Sequence, residues 1–158
     1  MIQIRNNLVV PVEFLRHTFQ NRSLNTLKVF IYFKFVSDGK ITGLEGLYPS
    51  ICEDLGVKST KTLRKHLLRL EGNQLLSHNP KTDTTFIRGW TRAYQVYGLQ
   101  SMLGVRMEYR HLETFRDFSF SAVVSLSDRR SGSGNEDEKR DVHAKVSLPP
   151  SILADTQI

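Results

Sequence analysis

Apolar positions along the chain change period several times, and each change marks an element. In "LNTLKVFIYFKFV" (24–36), Leu24, Leu27, Ile31 and Phe35 line one side of a helix and Phe30, Phe33 and Val36 another. Only Asn25, Lys28 and Lys34 form a narrow polar strip. A helix apolar on most of its circumference belongs at the centre of a core. Ser23 stands at its N-cap, "SDGK" ends it, and "KIT" (40–42) reads as a short strand. In "LYPSICEDLG" (47–56), Pro49 suits a first helical turn, Ile51 and Leu55 point inward, and Gly56 stops the helix. The next helix is capped by Ser59 or Thr60 and runs to about Glu71, with Leu63, Leu67 and Leu70 as its buried stripe. "LLSHNPKTDTTFIRGW" (75–90) reads as a hairpin, with "NPKTD" as turn and "TTFIRGW" as return strand. Ahead of all this, "IQIRNNLVVPVEFLRH" mixes β-branched residues with Pro11 and predicts an irregular strand and a lead-in turn.

A repeat sets the domain plan. "LNTLKVFIYFKFVS" (24–37) and "LETFRDFSFSAVVS" (112–125) share Leu, Thr, Phe, Val and Ser at aligned positions. "LYPSICED" (47–54) and "LPPSILAD" (148–155) share Leu, Pro, Ser, Ile and Asp, and "KIT" or "KVS" precedes each. Two matches in the same order point to two copies of one helical unit. The second copy stops where its turn and basic helix should begin, so it is either truncated or degenerate. The expected plan is a lead-in segment at 1–22, a main domain at 23–100, an additional packing helix at 101–128, a flexible Gly/Ser- and charge-rich linker at 129–144, and the start of a second unit at 145–158. The apolar residues Phe115, Phe118, Phe120, Val123 and Val124 then need cover from the first domain or from a second subunit.

Charge adds a partner to this plan. The net charge is +6, and residues 58–69 alone carry five basic groups and no acid. The stretch 128–145 carries five of each sign. The excess therefore belongs to one predicted helix, which calls for an anionic partner. Catalytic chemistry has little to stand on. The single cysteine excludes an internal disulfide and a Cys-based zinc site. Histidines 17, 66, 78, 111 and 143 have no metal-ligand spacing; His66 is expected to cover its helix rather than face outward. Glu53-Asp54 reads as surface, Glu136-Asp137-Glu138 falls in the linker, and no phosphate-cradling Gly loop or nucleophile motif occurs. No catalytic residue, metal or cofactor is expected. The longest apolar run, Val29 to Phe33, is too short for a membrane span, and "MIQIRNNLVV" lacks a signal-peptide layout. A cytoplasmic protein without membrane contact is the expectation.

The order helix, short strand, helix, tight turn, basic helix, hairpin resembles the winged helix-turn-helix family over about residues 23–92. Cys52 fits the small-residue position of the first motif helix, Gly56 the turn, and Leu63 the inward position of the second. The turn "GVKST" is one residue longer than the shortest form, and Gln74 stands where many winged helices have Gly. The resemblance implies a mainly α fold with a small β-hairpin wing (α+β), followed by a partial second helical repeat. It implies a sequence-specific double-stranded DNA-binding protein, acting at a replication origin or in transcriptional regulation, of the kind plasmids and phages carry. Tandem winged-helix replication initiators are similar in plan. On that reading Arg64 and Lys65 reach guanine edges, and Lys61 and Thr62 read bases or hold backbone. Lys58, Ser59 and Arg69 lie toward phosphate, Thr60 belongs to the same DNA-facing helix start, and Lys81 and Arg88 on the wing add contacts, with Arg92 beside them. Five to seven phosphate contacts would make affinity fall steeply with salt. The helix containing Phe115 to Val124 is a candidate dimer seam. Two rivals stay open: a winged-helix protein-interaction module with a solvated basic face, and RNA binding.

Overall fold

The computed structural model describes residues 1–101 and 103–131. The fold is mixed α and β, with six helices and two small antiparallel sheets among the described residues. Strand β1 (Asn7–Pro11) leads into α1 (Val12–Gln20) and α2 (Leu24–Val36). Then come β2 (Lys40–Thr42), a 3-10 turn (Leu44–Leu47), α3 (Tyr48–Leu55) and α4 (Thr60–Gly72). The hairpin of β3 (Leu76–Asn79) and β4 (Thr84–Ile87) follows. The chain continues through α5 (Trp90–Tyr97), β5 (Gly104–Glu108), a second 3-10 turn (Tyr109–Leu112) and α6 (Phe115–Ser131). The hairpin takes β2 as a third strand in the order β2-β4-β3, with Ile41 opposite Thr85 and Leu76 opposite Ile87. β1 pairs with β5 in a separate two-stranded sheet.

The expected elements between 23 and 87 are present, for the expected reasons. α2 buries nine of its residues, including Phe30, Ile31, Tyr32, Phe33 and Phe35. α3 starts with Pro in its first turn, buries Ile51 and Leu55, and ends at Gly56 with φ +69°. α4 buries Leu63, Leu67 and Leu70. Ser23 does sit at the N-cap of α2, but its side chain makes no capping bond.

The C-terminus of α4 explains Gln74. The Leu75 N–H donates to the Leu70 carbonyl at 2.9 Å and the Gln74 N–H to the Glu71 carbonyl at 2.9 Å. Such a double-bonded helix end requires a left-handed residue just past the cap. α3 ends with the same two bonds and uses Gly56. α4 uses Gln74, at φ +64°, and Arg92 Nη1 donates to its side-chain oxygen at 3.2 Å.

Three expectations need correction. The lead-in segment 1–22 is not strand and turn alone: Val12 to Gln20 is a helix that buries Val12, Phe14, Leu15 and Thr18. Pro11 closes β1 and serves as the N-cap of α1, so a single proline ends one element and starts the next. The return strand stops at Ile87, and Trp90 opens α5 with Gly89 as N-cap. Within 101–128, Gly104–Glu108 is a strand that covers β1, and the helix begins only at Phe115. Residues 129–131 belong to α6, while the rest of the expected linker and the second unit at 145–158 lie outside the described residues. α2 and α6, alike in sequence, differ in surroundings: Tyr32 is fully buried, whereas its counterpart Phe120 is 60% exposed.

The core is centred on α2. Phe14 of α1 meets Phe30 at 6.3 Å, Trp90 at 5.5 Å and Tyr97 at 5.1 Å between ring centroids, and Phe30 meets Trp90 at 5.7 Å. Trp90 is therefore a packing residue. The N-terminal segment and α5 close the same aromatic cluster and belong to the fold of the main domain.

Two stability changes are expected. Phe14→Ala should lower unfolding free energy by about 3–5 kcal/mol and red-shift Trp90 emission, because it empties the centre of that cluster. A change under 1 kcal/mol in urea unfolding would remove α1 from the core. Gln74→Gly should raise stability by about 0.5–1 kcal/mol, since glycine takes the left-handed conformation without steric cost. A loss in the same assay would mean that the Arg92 contact outweighs the backbone relief.

Candidate nucleic-acid interface

The basic helix begins well formed. Ser59 is extended and its Oγ accepts the Thr62 N–H at 3.2 Å, with Thr62 Oγ1 at 3.1 Å. Ser59, not Thr60, is the cap. α3 and α4 are joined by residues 56–59, and both pack inward through leucine and isoleucine. That inward packing determines where the charges point. Lys61, Lys65 and Arg69 recur every four residues on the side away from Leu63, Leu67 and Leu70, and all three are exposed. None has a carboxylate within ion-pair distance among the described residues. Lys58 and Thr60 are exposed at the helix start.

Arg64 is placed differently. It lies on the flank of α4 that faces the 3-10 turn, where Nη2 is 3.6 Å from Glu45 Oε2 and the guanidinium sits 5.7 Å from the centre of the Tyr48 ring. Both partners of this ion pair are more than half exposed, so it is weakly held. The outward stripe therefore runs through Lys61, Lys65 and Arg69 and not through Arg64. Leu68 is the residue the sequence reading passed over: it is 59% exposed beside that stripe. The signal was available, because a helix that buries Leu63, Leu67 and Leu70 must turn Leu68 outward.

His66 covers the helix as expected. Its Nδ1 is 2.8 Å from Thr26 Oγ1 on α2, and burial, with Arg69 nearby, lowers its pKa. It is tied to the core side and does not face outward.

The hairpin holds its two candidate cations apart. Lys81 is in the exposed turn, where its N–H donates to Asn79 Oδ1 at 3.0 Å. His78 and Asp83 close the same turn at 3.0 Å, and the Asp83 carbonyl accepts the Gly43 N–H at 2.9 Å. Arg88 is at the other end of β4, its N–H bonded to the Leu75 carbonyl at 2.9 Å. Strands rise about 3.3 Å per residue, so the two cations mark opposite ends of the hairpin. Arg92 is on α5, engaged with Gln74. Phe86 is 40% exposed on the sheet face opposite Ile41 and Thr85.

The candidate seam on α6 divides. Phe115 is buried, Phe118 stacks on His111 at 4.5 Å, and Val123 is half-buried. α6 packs on α1. Phe120 and Val124 are exposed, one turn apart, with Phe19 6.2 Å from Phe120 between ring centres. Only Phe120 and Val124 remain for a seam.

Among the described residues no group of three His, Cys, Asp or Glu could hold a metal ion, and no helix is long and apolar enough to cross a membrane. No protein-family model, curated protein or solved structure matches the chain.

Ser59→Ala should cost about 1 kcal/mol of stability by removing the cap, and Ser59→Asp should restore it. Urea unfolding of the three proteins checks this; equal midpoints for Ala and Ser would show that the hydroxyl does not cap.

Proposed function

We propose that the chain is a non-enzymatic, sequence-specific double-stranded DNA-binding protein of the winged helix type, acting in replication initiation or transcriptional regulation. The observation that carries this is the unpaired stripe Lys61, Lys65 and Arg69 on the face of α4 opposite its leucines. The order α2, β2, α3, α4, β3, β4, with β2 laid against β4, supports the family reading. A duplex carries a dense line of phosphates, and its major groove admits one helix. In such a complex α4 enters the groove N-terminus first. Thr60, Lys61 and Lys65 lie toward base edges, Lys58 and Arg69 toward phosphate, and the Ser59 cap on the Thr62 N–H keeps the helix start formed. Arg64 joins by leaving Glu45, a small cost for an exposed pair. Lys81 at the hairpin turn reaches a neighbouring backbone. Arg88, at the far end of β4, adds charge at a distance.

The exposed Leu68 favours the rival reading, a protein-interaction surface, because an apolar side chain beside lysines suits a mixed interface. In the DNA reading the same side chain meets a thymine methyl.

The deciding experiment is duplex binding across a salt series, with the Lys61→Glu/Lys65→Glu protein alongside. Log affinity should fall linearly with log salt, and the double substitution, which reverses two charges on the groove-facing side, should weaken binding and flatten the slope. Its thermal unfolding should stay close to that of the parent. Weak binding that ignores salt and is shared by the variant would exclude the DNA reading and direct attention to a protein partner.

A further inference from the structure

A cleft of about 380 Å³ opens on the side of α2 where its C-terminal end meets the residues before β1 and the joint between β4 and α5. Arg5, Lys34, Asp38, Ile87 and Trp90 are among its walls. Lys34 is the unusual member. Its Nζ donates to the Arg88 carbonyl at 2.7 Å and lies 4.7 Å from the centre of the Phe30 ring and 4.8 Å from that of Trp90. No carboxylate is within ion-pair distance of it among the described residues. The residue keeps some exposed surface, as a cleft wall must, while its ammonium is desolvated.

The neighbouring groups are donors too. Arg5 Nε donates to the Lys34 carbonyl at 3.0 Å, and the rest of its guanidinium has no acceptor among the described residues. α5 begins at Trp90 without a side-chain cap, and the first amides of a helix have no acceptor inside it. The cleft thus gathers an ammonium, a guanidinium and an uncapped helix start beside the faces of Trp90 and Ile87. Its one carboxylate, Asp38, pairs with neither cation. Ligand pockets of this size combine an apolar wall with a few convergent polar groups.

We propose that this cleft binds a small organic carboxylate, its anionic group between Lys34 and Arg5 and its apolar body against Trp90 and Ile87. This assignment does not depend on DNA binding. Desolvation first, and Arg5 second, bring the pKa of Lys34 down to about 7. The charged groups facing it are Arg5 from the segment before β1 and Asp38 after α2; the β4–α5 joint presents only the Arg88 carbonyl and Trp90. A bound anion favours the charged lysine. Binding above pH 7 therefore takes up a proton, and affinity should fall by up to about tenfold per pH unit between pH 7 and 9.

Trp90 is the only tryptophan in the chain, so its emission reports on the cleft. The full chain would be titrated with benzoate at pH 7 and 8.5, with inorganic phosphate as a second probe and sodium chloride at matched ionic strength as control. We expect a saturable change with benzoate, clearly weaker at pH 8.5, lost in Lys34→Met and weakened in Arg5→Gln. Arg5 is exposed, so the second substitution tests the site even where the first disturbs the core. No saturable change up to tens of millimolar (the weak end of affinities for small ligands), or a response that both variants share, would overturn the assignment. So would an affinity independent of pH. An equal response to phosphate would remove the apolar body from it.

Discussion

α2 has no side to spare for solvent, and the rest of the chain is arranged to satisfy it. Nine of its thirteen residues are buried, on every side of the helix. Such a helix must be enclosed. α1, α4, the β2-β4-β3 sheet, β1 and the second 3-10 turn all pack against it or its neighbours. Each enclosing element needs only one apolar face for this purpose. The opposite face of each is then free of packing duty, which is how α4 can carry cations on its outward side without disturbing the core. The enclosure is incomplete at the C-terminal end of α2, and there Lys34 emerges between Phe30 and Trp90.

Sequence pattern was a good guide where a residue's role was decided by its neighbours in the chain. The apolar circumference of 24–36, Pro49 and Gly56 around α3, and the Leu63, Leu67, Leu70 stripe each predicted an element that is present. It was a poor guide where the role was decided by distant partners. "LVVPVEFL" carries strand and helix signals in succession, and Pro11 is compatible with both. Its β1 half is a strand because Gly104 to Glu108 lies beside it, a partner nearly a hundred residues away. Likewise "TTFIRGWTRAYQVY" is rich in β-branched and aromatic residues, yet the strand ends when the hairpin partner Leu76 is used up, and Trp90 turns into the aromatic cluster. The sequence likeness of α2 and α6 shows the same limit: similar residues meet a full enclosure in one case and the side of α1 in the other.

The candidate interface was legible as a linear cluster and illegible as a surface. Counting charges between 58 and 69 singled out α4, whose exposed cations other than Arg64 are unpaired among the described residues. Which of them share a face follows from the helical period, and that separates Lys61, Lys65 and Arg69 from Arg64. The Glu45 and Tyr48 contacts of Arg64 depend on how the 3-10 turn is set beside α4, which no local pattern gives. The separation of Lys81 from Arg88 follows from the strand register. Gln74 is instructive in the other direction. Its place as a non-glycine at a helix end was visible in the sequence, and its left-handed backbone gives α4 the same helix end that α3 makes with Gly56.

The electrostatics of α4 itself bear on the proposed anionic partner. A helix arranged only for its own stability places acids in its first turn and alternates signs every four residues. α1 follows the first rule and pairs its charges: Glu13 lies in its first turn and meets Arg16, three residues on, at 2.5 Å. α4 does the reverse. It has no acid in its first turn, Lys58 and Lys61 sit at the positive end of the helix dipole, and Lys61, Lys65 and Arg69 repel one another at four-residue spacing. Misplaced end charges cost about 0.3–1 kcal/mol each, and like pairs about 0.2–0.5 kcal/mol. The sum is on the order of 1–3 kcal/mol, offset in part by Arg69 at the favourable C-terminal end, and comparable with what the Ser59 cap contributes. The same molecule that pairs its charges on α1 leaves them opposed on α4, and a row of phosphates would relieve both the dipole and the repulsion at once. That contrast within one chain weighs against a basic face that is merely solvated.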